Sequence, residues 1–327
     1  MPVLLPDLPA DSARVRATLT REVYGPMPSP CAVGATIREI RTFGKQGRRA
    51  QIDVAAGPVR IGLALYLPPG PPAPVFFGPN FAGNGSIDPD PAIPRERGWL
   101  RPEHTALPPG AHAERWPMDL IVGAGFAGAT WYDGDVCPDD PGLCAARGRE
   151  LGGRFGAIAL WAWGFSRARA ALAATGLVRA DRAVAVGHSR HGKAAIWAAA
   201  NDPEIAGLVA NNSGAGGSRP FRWREGETIA QLFERFPHWF APALAEFAGR
   251  ENALTLDQHA ALALAAPRPL YLASARDDLW AGPGGEALAY ESIRHLWPEH
   301  RIGRHVRDGG HGITRGDWTR FLAFFAG

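Results

Sequence analysis

At 327 residues and 46% hydrophobic content, the chain is long enough for one large domain or two smaller ones around a sizeable core. Its formal charge of +3 is spread thinly, with no block of five or six like charges, so nucleic-acid binding is not implied. The opening stretch "MPVLLPDLPADSARVRATLTREVYG" has only a short apolar run broken by prolines and no basic n-region, so it is neither a signal peptide nor a membrane span. As written, the chain is expected to be cytoplasmic, or exported if a leader precedes it.

In chain order, a helical opening segment leads to "RRAQIDVAAGPVRIGLALYLPPG", two β-like runs divided by Gly57-Pro58 that predict an antiparallel hairpin. "APVFFGPNFAGNG" is a short apolar strand entering a Gly/Asn loop, and "PMDLIVGAGFAGATWYDGDVCPD" gives another strand followed by a long acidic loop. Strands and helices then alternate. "GAIALWAWGFSRARAALAAT" predicts a helix, "RAVAVGHS" a strand, "GKAAIWAAAND" a helix, "IAGLVANNSG" and "PRPLYLASARDD" strands, "GGEALAYESIRHLW" a helix, "GRHVRDGG" a strand and "DWTRFLAFFAG" a final helix. An antiparallel start feeding βα units predicts an α/β fold with a mostly parallel central sheet and helices on both faces.

Two stretches interrupt the alternation, near 86–117 and 218–260, and both follow strand C-termini. In open α/β sheets that edge carries the binding crevice, so these insertions are expected to form its walls or lid within a single domain spanning 1–327. Cys31, Cys137 and Cys144 are too few and too irregular for a zinc site or a disulfide framework; a Cys137–Cys144 loop closure is possible in principle, but free thiols are expected. No metal ligand set and no cofactor motif stands out.

The chemistry concentrates in "AVAVGHSRHGKAAIW". A run of small and β-branched residues ends at Gly187, and a helix starts soon after Ser189, which puts the serine at a strand-to-helix turn next to a helix N-terminus. The pattern departs from G-x-S-x-G, because His191 occupies the second glycine's place and Gly192 follows it. A serine nucleophile needs a base and a carboxylate. "ARDDLW" offers Asp277 and Asp278 at a strand end, and "GGHGIT" places His311 in a glycine-flanked loop before the last helix. The order Ser, Asp, His, with every member after a strand, is that of α/β-hydrolases. Asp278 is preferred as the acid, with Asp277 the alternative.

The segments "GHSRHGKAAIWAAA", "NNSGAGGSRPFRWREGE", "FPHWF", "LDQHAALALAAPRPLYLAS", "DDLWAGP" and "GGHGITRGDW" together resemble the glucuronoyl esterases, carbohydrate esterases of the α/β-hydrolase fold. The resemblance runs from about Phe155 to the C-terminus. Through the family pattern S-R-x-G-K it implies that Ser189 is the nucleophile, that Arg190 helps stabilise the oxyanion and that Lys193 binds sugar hydroxyls. Trp280 resembles a tryptophan near the sugar, Glu234 a hydroxyl acceptor, and His259 a structural position. Many members carry the acid as glutamate just before S-G-A-G-G; here Asn212 stands there, and Asp278 matches the alternative position of bacterial members.

The resulting expectation is a serine esterase that cleaves carboxylate esters of uronic acids, such as lignin-carbohydrate or methyl glucuronate esters, through an acyl-enzyme and without a cofactor. A general carboxylesterase or an acetylxylan-type deacetylase keeps the triad and changes the substrate. A non-catalytic carbohydrate-binding scaffold is the rival from another class. No nucleic-acid or membrane partner is implied, and the oligomeric state is not legible.

Overall fold

The computed structural model describes residues 3–93 and 98–327; the part of the first expected insertion at 94–97 lies outside the described residues. Nine strands, β1 (Val33–Phe43), β2 (Gly47–Ala56), β3 (Val59–Leu67), β4 (Ala73–Asn80), β5 (Ala127–Tyr132), β6 (Val178–His188), β7 (Gly207–Asn211), β8 (Leu270–Ala275) and β9 (Ile302–Arg307), form one sheet in the order β1-β2-β3-β5-β4-β6-β7-β8-β9. The first three strands and their junction with β5 are antiparallel, and every pair from β5 across to β9 is parallel.

The helices, in chain order, are α1 (Ser12–Leu19), α2 (Met118–Gly123), α3 (Asp133–Val136), α4 (Pro141–Glu150), α5 (Ala157–Thr175), α6 (Arg190–Asn201), α7 (Ile229–Arg235), α8 (Gln258–Ala263), α9 (Pro283–Ile293) and α10 (Arg315–Ala326). Alternate residues of the central strands feed two cores, because side chains of a strand point to opposite faces in turn. Val75, Phe77, Ala183, Ala185, Leu208, Ala210, Leu270 and Leu272 pack with α1, α5 and α6 on one face. Phe76, Val184, Val186, Val209, Tyr271 and Ala273 pack with α2 and α10 on the other. Both faces are therefore covered, and each large apolar side chain so buried stabilises the fold by about 1.5–3 kcal/mol.

Two elements differ from the sequence reading. The opening segment is helical only through α1 and a short π turn, and then supplies the edge strand β1, whose exposed Arg38 and Arg41 and half-buried Glu39 interrupt its apolar pattern. The acidic loop after β5 is largely helical: the Asp140 carboxylate accepts from the N–H groups of Gly142 and Leu143, and Pro141 occupies the first turn, which together start α4. The three cysteines are free thiols, and burial followed by contact with Cys144 pushes the Cys137 thiol well up. Among the described residues no helix is long and apolar enough to cross a membrane.

Candidate active site

The parallel strands end along one edge, and their last residues hand over to the loops that build the site. At the end of β6 the chain turns sharply: Ser189 has φ 58° and ψ −127°, and its N–H donates to Asn211 O at 2.9 Å. Such backbone costs about 1–3 kcal/mol and persists only when its surroundings enforce it. The surroundings are two glycines. A Cβ on Gly187 would lie 2.1 Å from His191 O, and one on Gly192 would lie 2.7 Å from Ser213 Cβ, so strand and helix cross closely around the serine. The place of the usual second glycine is filled by His191, whose ring turns away from the crossing, stacks on Phe81 at 4.1 Å and meets Asp133 through Nε2 at 2.8 Å.

His311 follows β9, and its Nδ1–H donates to Asp278 Oδ2 at 2.6 Å, which leaves Nε2 as the nitrogen for proton exchange. The same oxygen accepts from Asn212 Nδ2 at 2.6 Å, while Asp278 Oδ1 accepts from the Ala281 N–H at 3.2 Å. Burial alone raises the Asp278 pKa, but the hydrogen bond and charge of His311, with the donors of Asn212 and Ala281, outweigh it and hold the carboxyl below its ordinary range. Asn212, in left-handed backbone at φ 45°, thus supplies a donor to the acid. Asp277 points elsewhere: its carboxylate accepts from the Gly309 N–H at 3.2 Å. A second imidazole, His188, lies 4.6 Å ring to ring from His311 and is kept neutral, since burial and then the neighbouring His311 push its pKa well down.

Ser189, Arg190, Asp278 and His311 open onto one cleft, shared with Lys193, Asn212, Trp280 and, from the two insertions, Arg101, Glu227, Arg235, Phe236 and Trp239. Arg190 is buried over the Phe81 ring at 4.5 Å; its Nη2 donates to Asp133 at 2.9 Å, and its Nε faces Asp139 at 3.4 Å. Lys193 donates to Ser213 O at 2.9 Å and to Ala215 O, and lies 3.5 Å from Glu227 Oε2. Its pKa is lowered, chiefly by burial, against the pull of Glu227. Glu227 Oε1 in turn accepts from Trp280 Nε1 at 3.1 Å, and that indole is 40% exposed at the cleft mouth.

Glu234 is a correction. α7 turns Ile229 and Leu232 into the core and leaves Glu234 exposed, outside the cleft lining; the carboxylate beside Lys193 and Trp280 is Glu227, the last residue of "SRPFRWREGE". His259 is buried, with Nε2 at 2.9 Å from Pro6 O, away from the cleft. Among the described residues no group of three or more His, Cys, Asp or Glu side chains is placed to hold a metal ion.

A sheet of this order, with a serine at the β6–α6 crossing and a His–Asp pair above the same cleft, defines a carboxylic ester hydrolase of the α/β-hydrolase fold. The description "Glucuronyl esterase, fungi" matches residues 151–299. A carbohydrate esterase of an unknown prokaryotic organism is 32% identical over 327 aligned residues, which take in 87% of this chain and 76% of that one. A glucuronoyl esterase from Solibacter usitatus superposes with a TM-score of 0.90 at 33% identity, over 97% of this chain and 92% of that one. A 4-O-methyl-glucuronoyl methylesterase of Podospora anserina is 35% identical over 179 residues, 50% of this chain and 37% of that protein. The chain belongs to the glucuronoyl esterases, carbohydrate esterase family 15.

Proposed function

We propose that the chain hydrolyses esters formed by the carboxyl group of glucuronic acid, with Ser189 as nucleophile, His311 as general base and acid, and Asp278 as the carboxylate behind it. The observation that carries this reading is the cleft itself, where the elbow serine and the His311–Asp278 pair share one opening with the Lys193–Glu227–Trp280 chain. Ser189 Oγ attacks the uronate carbonyl carbon as His311 Nε2 takes its proton. The Arg190 guanidinium, with Nη2 bonded to Asp133 and Nε facing Asp139, presents Nη1 to the negative charge that develops on the carbonyl oxygen. The alcohol leaves with the proton from His311; water, deprotonated by the same imidazole, then attacks the acyl-enzyme and frees the uronate and Ser189.

Trp280 offers an apolar face to the sugar ring, and Glu227, fixed by Lys193 and by the indole N–H, offers carboxylate oxygens to its hydroxyls. The sugar therefore lies on the acyl side of the ester. A relative in Podospora anserina is named for 4-O-methyl-glucuronoyl ester cleavage, which agrees with this orientation. The test is kcat/KM on benzyl glucuronate, methyl glucuronate and p-nitrophenyl acetate. The glucuronate esters are expected to lead by at least about tenfold, since a pocket that hydrogen-bonds substrate hydroxyls discriminates strongly against a substrate without them. Preference for the aryl acetate assigns a general carboxylesterase instead.

A further inference from the structure

The carboxylate of Asp139, in the loop between α3 and α4, is almost fully buried and is met from three directions. Its Oδ1 accepts from His238 Nε2 at 2.9 Å and Trp239 Nε1 at 2.8 Å. Its Oδ2 accepts from Arg101 Nε at 3.0 Å and from Arg101 Nη2, and Arg190 Nε lies 3.4 Å away. Arg101 belongs to the first insertion, His238 and Trp239 to the second, and Arg190 to the helix that starts at the serine. Three of these four residues, Arg101, Arg190 and Trp239, line the cleft.

We propose that Asp139 is a positioning residue for ester cleavage: one buried anion aims the Arg190 guanidinium at the oxyanion and fastens both insertions to it. With no anion between them, the buried Arg190 and the half-buried Arg101 would repel one another and swing toward water. Asp133 cannot do the work alone, because it holds only Nη2 of Arg190 and is shared with His191 Nε2 at 2.8 Å. A guanidinium fixed at Nη2 alone rotates about that contact; fixed at Nη2 and faced at Nε by a second carboxylate, it keeps one plane, and Nη1 keeps one direction. Burial raises the Asp139 pKa, yet the donors from His238, Trp239 and Arg101 and the charge of Arg190 more than offset it, so the anion persists throughout the working pH range. The same carboxylate holds Trp239 and Arg101 at the cleft lining, so the shape of the sugar site and the direction of the oxyanion cation depend on one side chain.

This inference rests on the reading of Arg190 as the oxyanion cation, and a double-mutant cycle separates the two. D139N keeps the shape of the side chain, removes its charge and turns an amide N–H₂ toward one pair of donors. On methyl glucuronate, D139N is expected to lower kcat by about 10- to 100-fold in the native background and by less than about threefold in R190A, since an interaction that acts through Arg190 has nothing left to act on. KM is expected to rise as well in the native background, through Trp239 and Arg101, and that rise should survive in R190A. Equal factors in kcat in both backgrounds, with R190A itself impaired, overturn the positioning role and leave a purely structural ion-pair cluster. An R190A enzyme with undiminished kcat overturns both the oxyanion reading and this one. If D139N does not fold, D139E, which keeps the charge and displaces it by one methylene, supplies the same cycle, with the same non-additivity required.

Discussion

Replacing Asp278 by asparagine tests the core of the site most directly. Asp278 Oδ2 accepts from both His311 Nδ1 and Asn212 Nδ2 at 2.6 Å, and Oδ1 accepts from the Ala281 N–H at 3.2 Å. An amide has one acceptor and one donor end, so either its N–H₂ faces two donors or it faces the Ala281 N–H. In the first orientation His311 is driven to the wrong tautomer, and in both the imidazolium formed during attack loses its counter-charge. The charge part alone, for unit charges about 4 Å apart at an effective dielectric of about 20, is about 4 kcal/mol. With the tautomer cost added, kcat should fall by about 10⁴-fold, or about 5.4 kcal/mol. Asp277, whose carboxylate is bonded at the surface to Gly309, should tolerate the same change within about threefold. The assay is kcat for D278N and D277N on methyl glucuronate, with thermal unfolding to confirm that both fold. A D278N enzyme within tenfold of wild type, or a D277N enzyme equally crippled, refutes the assignment of the acid. Because the folded Asp278 pKa is depressed, its charge is lost only as pH falls through that lowered value, so the acid limb of the wild-type pH profile should not report Asp278.

S189A and H311A should each abolish nearly all turnover, and the double variant should be scarcely worse than either, measured as kcat on one activated ester; strictly additive losses mean that the two side chains do not act together. E227Q should raise KM for methyl glucuronate by about tenfold or more and leave p-nitrophenyl acetate within about twofold, because only the sugar meets that carboxylate; a parallel loss on both substrates places Glu227 in the chemistry rather than in sugar binding. His112, half-buried within the first insertion, has its pKa lowered from 6.5 to about 4 by burial and then by Arg115 and His104. The unfolded chain therefore binds the proton more readily, and stability falls as pH drops from 6.5 toward 4. H112Q should flatten the decline of Tm across that window, and an unchanged slope removes His112 from the account.

Much of this architecture is written locally. The run before Gly187 has no polar break because both faces of β6 are covered, and the turn chemistry of Ser189, Asp278 and His311 needs only strand ends and glycines to be read. β1 is harder: an edge strand exposes one face and much of its length, so Arg38, Glu39 and Arg41 sit where an interior strand would show apolar residues. Contacts that depend on long sequence separations left no local trace. Asp139 is 100 residues from Trp239 and 38 from Arg101, and nothing in "GDVCPDD" distinguishes it from a solvated loop acid. Glu227, just before α7, and Glu234, in its last turn, are both acids, and only burial tells them apart. Asn212 was legible as a side chain that cannot be an anion; its use as a donor to Asp278 requires knowing that β7 and β8 lie side by side.

That adjacency shapes how the site can change by mutation. β7 and β8 run parallel with Asn211 opposite Ala273, so the loop after β8 delivers Asp278 to the imidazole and the loop after β7 delivers Asn212 to that same carboxylate. The acid can in principle be carried by either loop while His311 and Ser189 stay where they are. Yet the two positions are in direct contact, with 2.6 Å between the Asn212 amide and the Asp278 carboxylate. A carboxylate placed at both positions would therefore bring two like charges into contact, so a change at either one alters the ionisation and hydrogen bonding of the other, and Asn212 with Asp278 forms one coupled pair rather than two independent sites.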